Sequence, residues 1–215
     1  MSFLLDMFSG LLLGLFILFE GIFMDRFLSY DDYIDLIKNK TTRQLYNEGI
    51  QTVKQNLLVL TPISYPIVMK TLISTQKSYF SVVDCILFIS IHNFGYFCMH
   101  KLMHTYPQLY NFHSFHHRFD KILIPSIGNA TSKSEFMLAY VIPAFIAGYV
   151  TVPNEMTFVI SVYIISFFNH CIHCRPLQHV SWLPGFVTPL QHIQHHEYRN
   201  KHYSASIVNY DWIYE

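Results

Sequence analysis

Three short histidine clusters dominate the chemistry open to this chain. They are His100-Lys-Leu-Met-His104, His113-Ser-Phe-His116-His117 and His192-Ile-Gln-His195-His196. At 3.6 residues per turn, positions four apart on a helix differ by only about 40° in direction, so His100 and His104 can face one centre. Positions i, i+3 and i+4 also share a face, so each HxxHH cluster can present its rings together. Imidazole is near neutral at pH 7 and is the commonest metal ligand, suited to iron, zinc or copper. One zinc takes three or four ligands, whereas these boxes offer eight imidazoles, a supply that fits two metal ions. Taken singly, an HxxxH is more often incidental than a ligand pair, and a lone His92 inside an apolar stretch is more often structural. Three boxes in a chain poor in polar residues resist that reading, because polar groups at a membrane are costly without function. The run His170-Cys171-Ile172-His173-Cys174 also admits a separate zinc site, for which a single CxxC is a weak signal. His179 reads as loop.

The elements that must position these boxes are apolar. Of 215 residues, 52% are hydrophobic, 17% aromatic and 13% charged, and mean hydropathy is +0.27. Lys+Arg 14 against Asp+Glu 14 excludes a basic nucleic-acid binder, and the aromatic content excludes disorder in favour of a membrane-embedded fold. Four cysteines are too few for a disulfide scaffold. The run from Met7 to Met24 approaches the length of about 20 residues that crosses hydrocarbon, with Glu20 its one charge. No basic residue precedes that run and no small-residue cleavage pattern follows, so a retained anchor is expected rather than a signal peptide.

Residues 26–54 hold five basic residues (Arg26, Lys38, Lys40, Arg43, Lys54) and form the natural cytoplasmic side. A second apolar stretch, Leu57 to Thr75, is interrupted by Pro62, Pro66 and Lys70, and a third, Tyr79 to Met99, carries Asp84 and His92. Phe136 to Val150 and Met156 to Phe168 form a helical hairpin joined at Pro153-Asn154, with arms at the short end for full spans. The expected fold is therefore all-α, about four hydrophobic helices in the membrane beneath a cytoplasmic histidine-rich helical cap. Residues 1–78 would supply anchor helices and a loop, and residues 79–215 the catalytic domain. This topology puts every histidine box on one face.

The box order and spacing resemble the fatty acid hydroxylase and sterol desaturase superfamily of membrane non-haem di-iron oxygenases, from about Phe80 to the C-terminus. The linker between the first two boxes carries Pro107, Leu109 and Tyr110, as family members do. The segment with His170, Pro176, Pro184 and His192 is similar to the methylsterol oxidase and sterol hydroxylase branch, as are Asn200, Tyr203 and Asp211. The resemblance implies metal-ligand roles for His100, His104, His113, His116, His117, His170, His192, His195 and His196. His173, His202 and Asp211 are further candidates for the metal or for orienting its ligands. Departures from the branch are Asn93 for Asp, Lys101 for Arg, His202 for Asn, no histidine before Glu135, and a close at Ile213-Tyr214-Glu215 where relatives continue.

The chemistry implied is reductive activation of O2 at two irons and attack on a C–H bond of a membrane lipid, with no catalytic residues beyond the ligands. Such bonds resist acid–base chemistry, so metal and oxygen supply the reactivity while protein groups position the substrate. Asp120, Glu135, Glu197 and Asp211 are candidates to orient the imidazoles through their second nitrogens. No flavin or nicotinamide fingerprint is present, so electrons are expected from a separate donor, which the resemblance implies is cytochrome b5 with its reductase or an equivalent. It also implies the endoplasmic reticulum, with the boxes facing the cytoplasm, and favours a sterol-like substrate. The rivals are a fatty-acyl or sphingolipid hydroxylase or desaturase, and a non-catalytic zinc-binding membrane protein.

Overall fold

The computed structural model describes residues 3–213. It is all-α, with no strand among the described residues beyond an isolated bridge between Phe186 and Val208. Helix α1 (Phe3–Phe27) is followed by α2 (Tyr30–Lys38) and α3 (Lys40–Gln55). A π-helical stretch, Asn56–Leu60, joins α3 without a break to α4 (Thr61–Thr71). Next come α5 (Val82–Thr105), α6 (Pro107–His113) and two 3₁₀ turns, His116–Ile122 and Pro125–Asn129. Then α7 (Lys133–Thr151), π-helical over Phe136–Val141, leads to α8 (Glu155–Ile172) and α9 (Pro189–Tyr198). Tyr214 and Glu215 lie outside the described residues.

Four helices, α1, α5, α7 and α8, are long and apolar enough to cross a membrane. Leu57 to Thr75, with its two prolines and Lys70, is not one of them; it continues a helix whose first half is polar. The hairpin arms run longer than the sequence indicated: polar caps start the first three residues and the second one residue early, and the second continues four residues past Phe168. The Ser132 hydroxyl accepts from the Glu135 N–H, and the Asn154 side chain accepts from the Thr157 N–H. Between the arms, Val152 sits in the left-handed region at φ 44°. A β-branched residue rarely goes there, so the turn is held by its surroundings. Ser74 N–H donates to the Pro153 carbonyl at 2.9 Å, and Lys77 binds both the Thr151 carbonyl and Asp84.

Bonds from Ser81 N–H to the Thr157 hydroxyl and from the Ser161 hydroxyl to Cys85 set α5 and α8 side by side and parallel. The C-terminal ends of both helices, the start of α7 and the end of α1 therefore meet at one end of the bundle. At that end Asp25 accepts from the Ser126 N–H at 2.9 Å, tying α1 to the loop that carries the second box. One hydrophobic core runs from Leu13 and Ile17 through Leu57 and Tyr65 to Phe88, Phe158 and Ile165. Large apolar side chains such as Phe19, 67% exposed, and Val83 and Ile146 point outward, which suits hydrocarbon as the surrounding solvent. Close approach matters at Gly14, where an added Cβ would lie 2.0 Å from the Leu57 carbonyl oxygen. The π stretch bulges into α1 at that point, and only glycine leaves room for it.

Candidate metal centre

Each histidine box sits where a helix ends over the bundle. His100 and His104 occupy the last two turns of α5, His113 closes α6, and His116 and His117 lie on the following 3₁₀ turn. His173 caps α8, and His192, His195 and His196 share α9, which starts with a Thr188–Gln191 capping box and Pro189. Two groups of rings result. His100, His104, His113, His117 and His195 form one, and His116, His173, His192 and His196 the other; within each, potential ligand atoms lie within 4.8 Å of one another. His117 and His196 also converge on Asp120, so the two groups adjoin.

The second nitrogen of nearly every ring is fixed. The Nδ1–H groups of His100, His195, His116 and His173 donate to the carbonyls of Tyr203 (2.6 Å), Lys201 (2.8 Å), Ala130 (3.3 Å) and Asn169 (2.7 Å). His113 donates to Glu135 at 2.6 Å. His117 and His196 donate to one and the same oxygen, Asp120 Oδ1, at 3.1 and 2.7 Å. Arg199 holds the other Asp120 oxygen at 2.6 Å. A carbonyl can only accept, so in His100, His195, His116 and His173 the proton sits on Nδ1 and Nε2 is a bare lone pair.

Those lone pairs face one another. Nε2 of His100, whose proton is held on the far side by the Tyr203 carbonyl, and Nε2 of His113 are 2.9 Å apart. Nε2 atoms also approach within 3.0 Å between His173 and His192 and 3.2 Å between His192 and His196; His192 Nδ1 and His195 Nε2 are buried without partners. Two acceptors at 2.9 Å repel unless a cation lies between or beside them, so the donor set fits metal ions in both groups. Burial, followed by mutual repulsion among the rings, holds His113, His116, His192, His195 and His196 well below the usual imidazole range. Burial first of all lowers His173 to about 4. These rings are neutral at pH 7 and need shed no proton to bind a metal.

Of the nine expected ligands, eight come together. His170 stands outside both groups. Its Nε2 accepts from the Asn129 amide at 2.8 Å and its Nδ1 lies 3.3 Å from Glu20, the lone charge in the apolar stretch of α1. One turn later α8 ends, and the cap conformation of His173 swings that ring into the second group instead. Gly128 makes the space, since a Cβ there would meet His173 Nδ1 at 2.6 Å. His202, at φ 56°, is also outside the groups but near enough to disfavour protonation of His195. Asp211 accepts from the backbone N–H groups of Tyr203 and Ser204, and so steadies the carbonyl that holds His100. Glu197 and His179 are exposed and outside the groups. Asn93 accepts from Ile207 and Val208 N–H, a task that needs no charge, and Lys101 lies over the Tyr203 ring.

A cavity of about 110 Å³ opens beneath the rings, between α1, α4, α5, α7 and α8. At its upper end are Asn129, Phe136 and Asn169. Each is, or adjoins in sequence, a residue that fixes a ring: Ala130 for His116, Glu135 for His113 and Asn169 for His173.

A helical membrane protein with adjoining histidine cages above an apolar cavity is thereby defined. The family model for fatty acid hydroxylase matches residues 85–215, more than half of the chain, and the protein belongs to that family. No curated protein and no solved structure matches the chain. Family membership makes the protein a lipid-directed oxidoreductase of the hydroxylase or desaturase kind, associated with the bilayer.

Proposed function

We propose that the chain is a di-iron monooxygenase that hydroxylates or otherwise oxidises a C–H bond of a membrane lipid, with a sterol-like lipid favoured over a fatty-acyl or sphingolipid one. The observation that carries this reading is the pair of adjoining cages in which seven of the nine rings are anchored through Nδ1, leaving Nε2 free for a metal. Two irons held by His100, His104, His113, His117 and His195, and by His116, His173, His192 and His196, supply the O2 chemistry that an unactivated C–H bond demands. The chain's own residues orient and exclude. Glu135, Asp120 and the carbonyls of Tyr203, Lys201, Ala130 and Asn169 set seven of the nine rings, while the cavity walls keep the lipid in a dry space beneath. In this reading residues 79–215 are the catalytic domain, and residues 1–78 complete the cavity through Leu13, Ile17 and Tyr65.

Electrons come from cytochrome b5 and its reductase or an equivalent donor at the cytoplasmic face of the endoplasmic reticulum. Support for such docking is the exposed basic rim at the box end, with Arg118, Lys121, Arg175, Arg199 and Lys201. The deciding experiment is mass spectrometry of lipids from membranes expressing the protein with a working donor. A gained oxygen means hydroxylation and a loss of two hydrogens desaturation; unchanged lipids would contradict both. Histidine-only sites also suit zinc, so zinc alone after iron-replete expression, with no O2-dependent turnover, would favour the non-catalytic reading.

A further inference from the structure

The cavity of about 110 Å³ is smaller than any whole membrane lipid. An apolar space of about 150 Å³ holds a molecule the size of benzene, so only one segment of a sterol or an acyl chain fits inside. The remainder has to stay in the bilayer, and the wall between cavity and bilayer has to open along a helix seam. Five helices form that wall. α4 packs on α1, α1 on α8, α8 on α5 and α5 on α7, which leaves the seam between α7 and α4 to close the ring.

That seam is fastened at its two ends. Toward the boxes, the Asn56 amide donates to the Thr131 carbonyl at 2.9 Å and to its hydroxyl at 3.2 Å. At the opposite end Gly148 lets Leu72 approach so closely that an added Cβ would lie 3.0 Å from Leu72 Cδ1. Among the described residues no hydrogen bond crosses the seam between these clasps. Thr61 and Ser64 on α4 and Tyr140, Val141 and Ala144 on α7 line the cavity there and are part-exposed, whereas Leu13, Ile17 and His92, from the packed side, are buried. Neither rim carries a charge from Leu57 to Met69 or from Phe136 to Thr151, and Ile63, Ile67, Met137 and Ile142 beside it are exposed. The opening thus meets hydrocarbon rather than water.

The two rims also differ from the other walls in backbone. Pro62 and Pro66 lie in α4 and Pro143 in α7, each rim includes a π-helical stretch, and α1, α5 and α8 contain neither feature. A proline removes one rung of a helix's hydrogen-bond ladder, and prolines and π turns are where helices bend. We infer that the seam between α4 and α7 is the doorway of the cavity: its rims bend apart between fixed clasps, and the substrate lies across it, one segment inside and the rest in the bilayer. This rests on the cavity serving the proposed oxygenase. It adds that the segment passing the uncharged rims is itself uncharged, so a phosphate or carboxylate headgroup stays outside.

The test is to lock the doorway in the folded full chain. Counted from the Leu72–Gly148 contact, Ser64 is eight residues along α4 and Val141 seven along α7, about 12 and 11 Å at 1.5 Å per residue, so the two stand at one depth. Ser64→Cys/Val141→Cys in nanodiscs is bridged with a short, reducible bis-methanethiosulfonate and then exposed to cholestanol carrying a ring diazirine or to hexadecanol carrying a terminal one. Before bridging, at least one probe should mark Phe158 or Ile165 on illumination, since both line the cavity and are 5% exposed. Bridging should lower that labelling at least about tenfold, and reduction should restore it. Labelling of the outward Phe19 and the metal content should not change. No interior labelling with either probe, labelling that survives complete bridging, or a loss that reduction does not reverse would each overturn the proposal. Labelling is read without turnover, so a protein whose doorway locks but which oxidises no lipid would separate failure of the oxygenase reading from failure of this one.

Discussion

Asp120 gives the sharpest consequence of the geometry. One of its oxygens accepts from His117 in the first group and from His196 in the second, and Arg199 clamps the other. Asp120→Asn keeps the size and one acceptor but turns an N–H₂ toward the Arg199 guanidinium. The amide must then rotate, and both imidazoles, which share that oxygen, lose their anchor. Loss of such an outer partner costs about 10–100-fold in metal affinity, or roughly 1.4–2.7 kcal/mol. Because the two rings belong to different groups, both metals should be released more readily. Glu135→Gln, which touches only His113, should weaken the first group alone. The assay is metal per chain by mass spectrometry along a chelator titration. Release of a single metal from Asp120→Asn, or a titration identical to that of the unmutated protein, would refute the idea that one carboxylate braces both groups.

Further predictions concern the ligand set and the packing beneath it. His173→Ala should lose metal from the second group, whereas His170→Ala should keep the full metal content and lower the melting temperature, since Glu20 is left buried without its neighbour; loss of a metal from His170→Ala would return that residue to the ligand set. Gly14→Ala should cost at least about 1–3 kcal/mol or block accumulation, because the new methyl meets the Leu57 carbonyl; expression with unchanged melting would contradict the close approach. His173 titrates near 6.5 when unfolded and about 4 when folded, so the unfolded chain binds the extra proton between those values. The stability this ring contributes is therefore intact above about pH 6.5 and falls by about 3 kcal/mol as pH drops to 4. Melting of the metal-stripped protein should decline across that window, and a flat profile would count against a buried neutral ring.

The residues of the three boxes were legible from spacing, but their grouping was not: each HxxHH box divides between the two groups, His113 and His117 from His116, and His195 from His192 and His196, and His116 and His117 lie on a 3₁₀ turn after the helix that ends at His113. The all-α membrane architecture was legible from hydropathy in the same way. The sequence offered both His170 and His173 as candidates and could not choose between them, since the two are three residues apart at a helix end and the cap conformation brings His173, not His170, into the second group. Glu20 was the available signal: the one charge in the apolar stretch of α1 calls for polar neighbours, and it accepts from the Tyr163 hydroxyl at 2.7 Å and lies 3.3 Å from His170. The ring anchors were hidden because four of them are backbone carbonyls, which any residue type supplies. Asp120 and Glu135 stood out as candidates, but their pairings depend on loops folding back over 76 and 22 residues. The cavity has no sequence signature, being formed where five helices fail to meet.

The central claim is that two irons occupy the paired histidine groups. Growth on ⁵⁷Fe followed by Mössbauer spectroscopy and metal analysis of the purified protein tests it directly. The account predicts two irons per chain in nitrogen-rich surroundings, lost on His116→Ala or His195→Ala and kept on His179→Ala. A protein from iron-replete cells holding one iron or none, or an His195→Ala variant that keeps both, would contradict it.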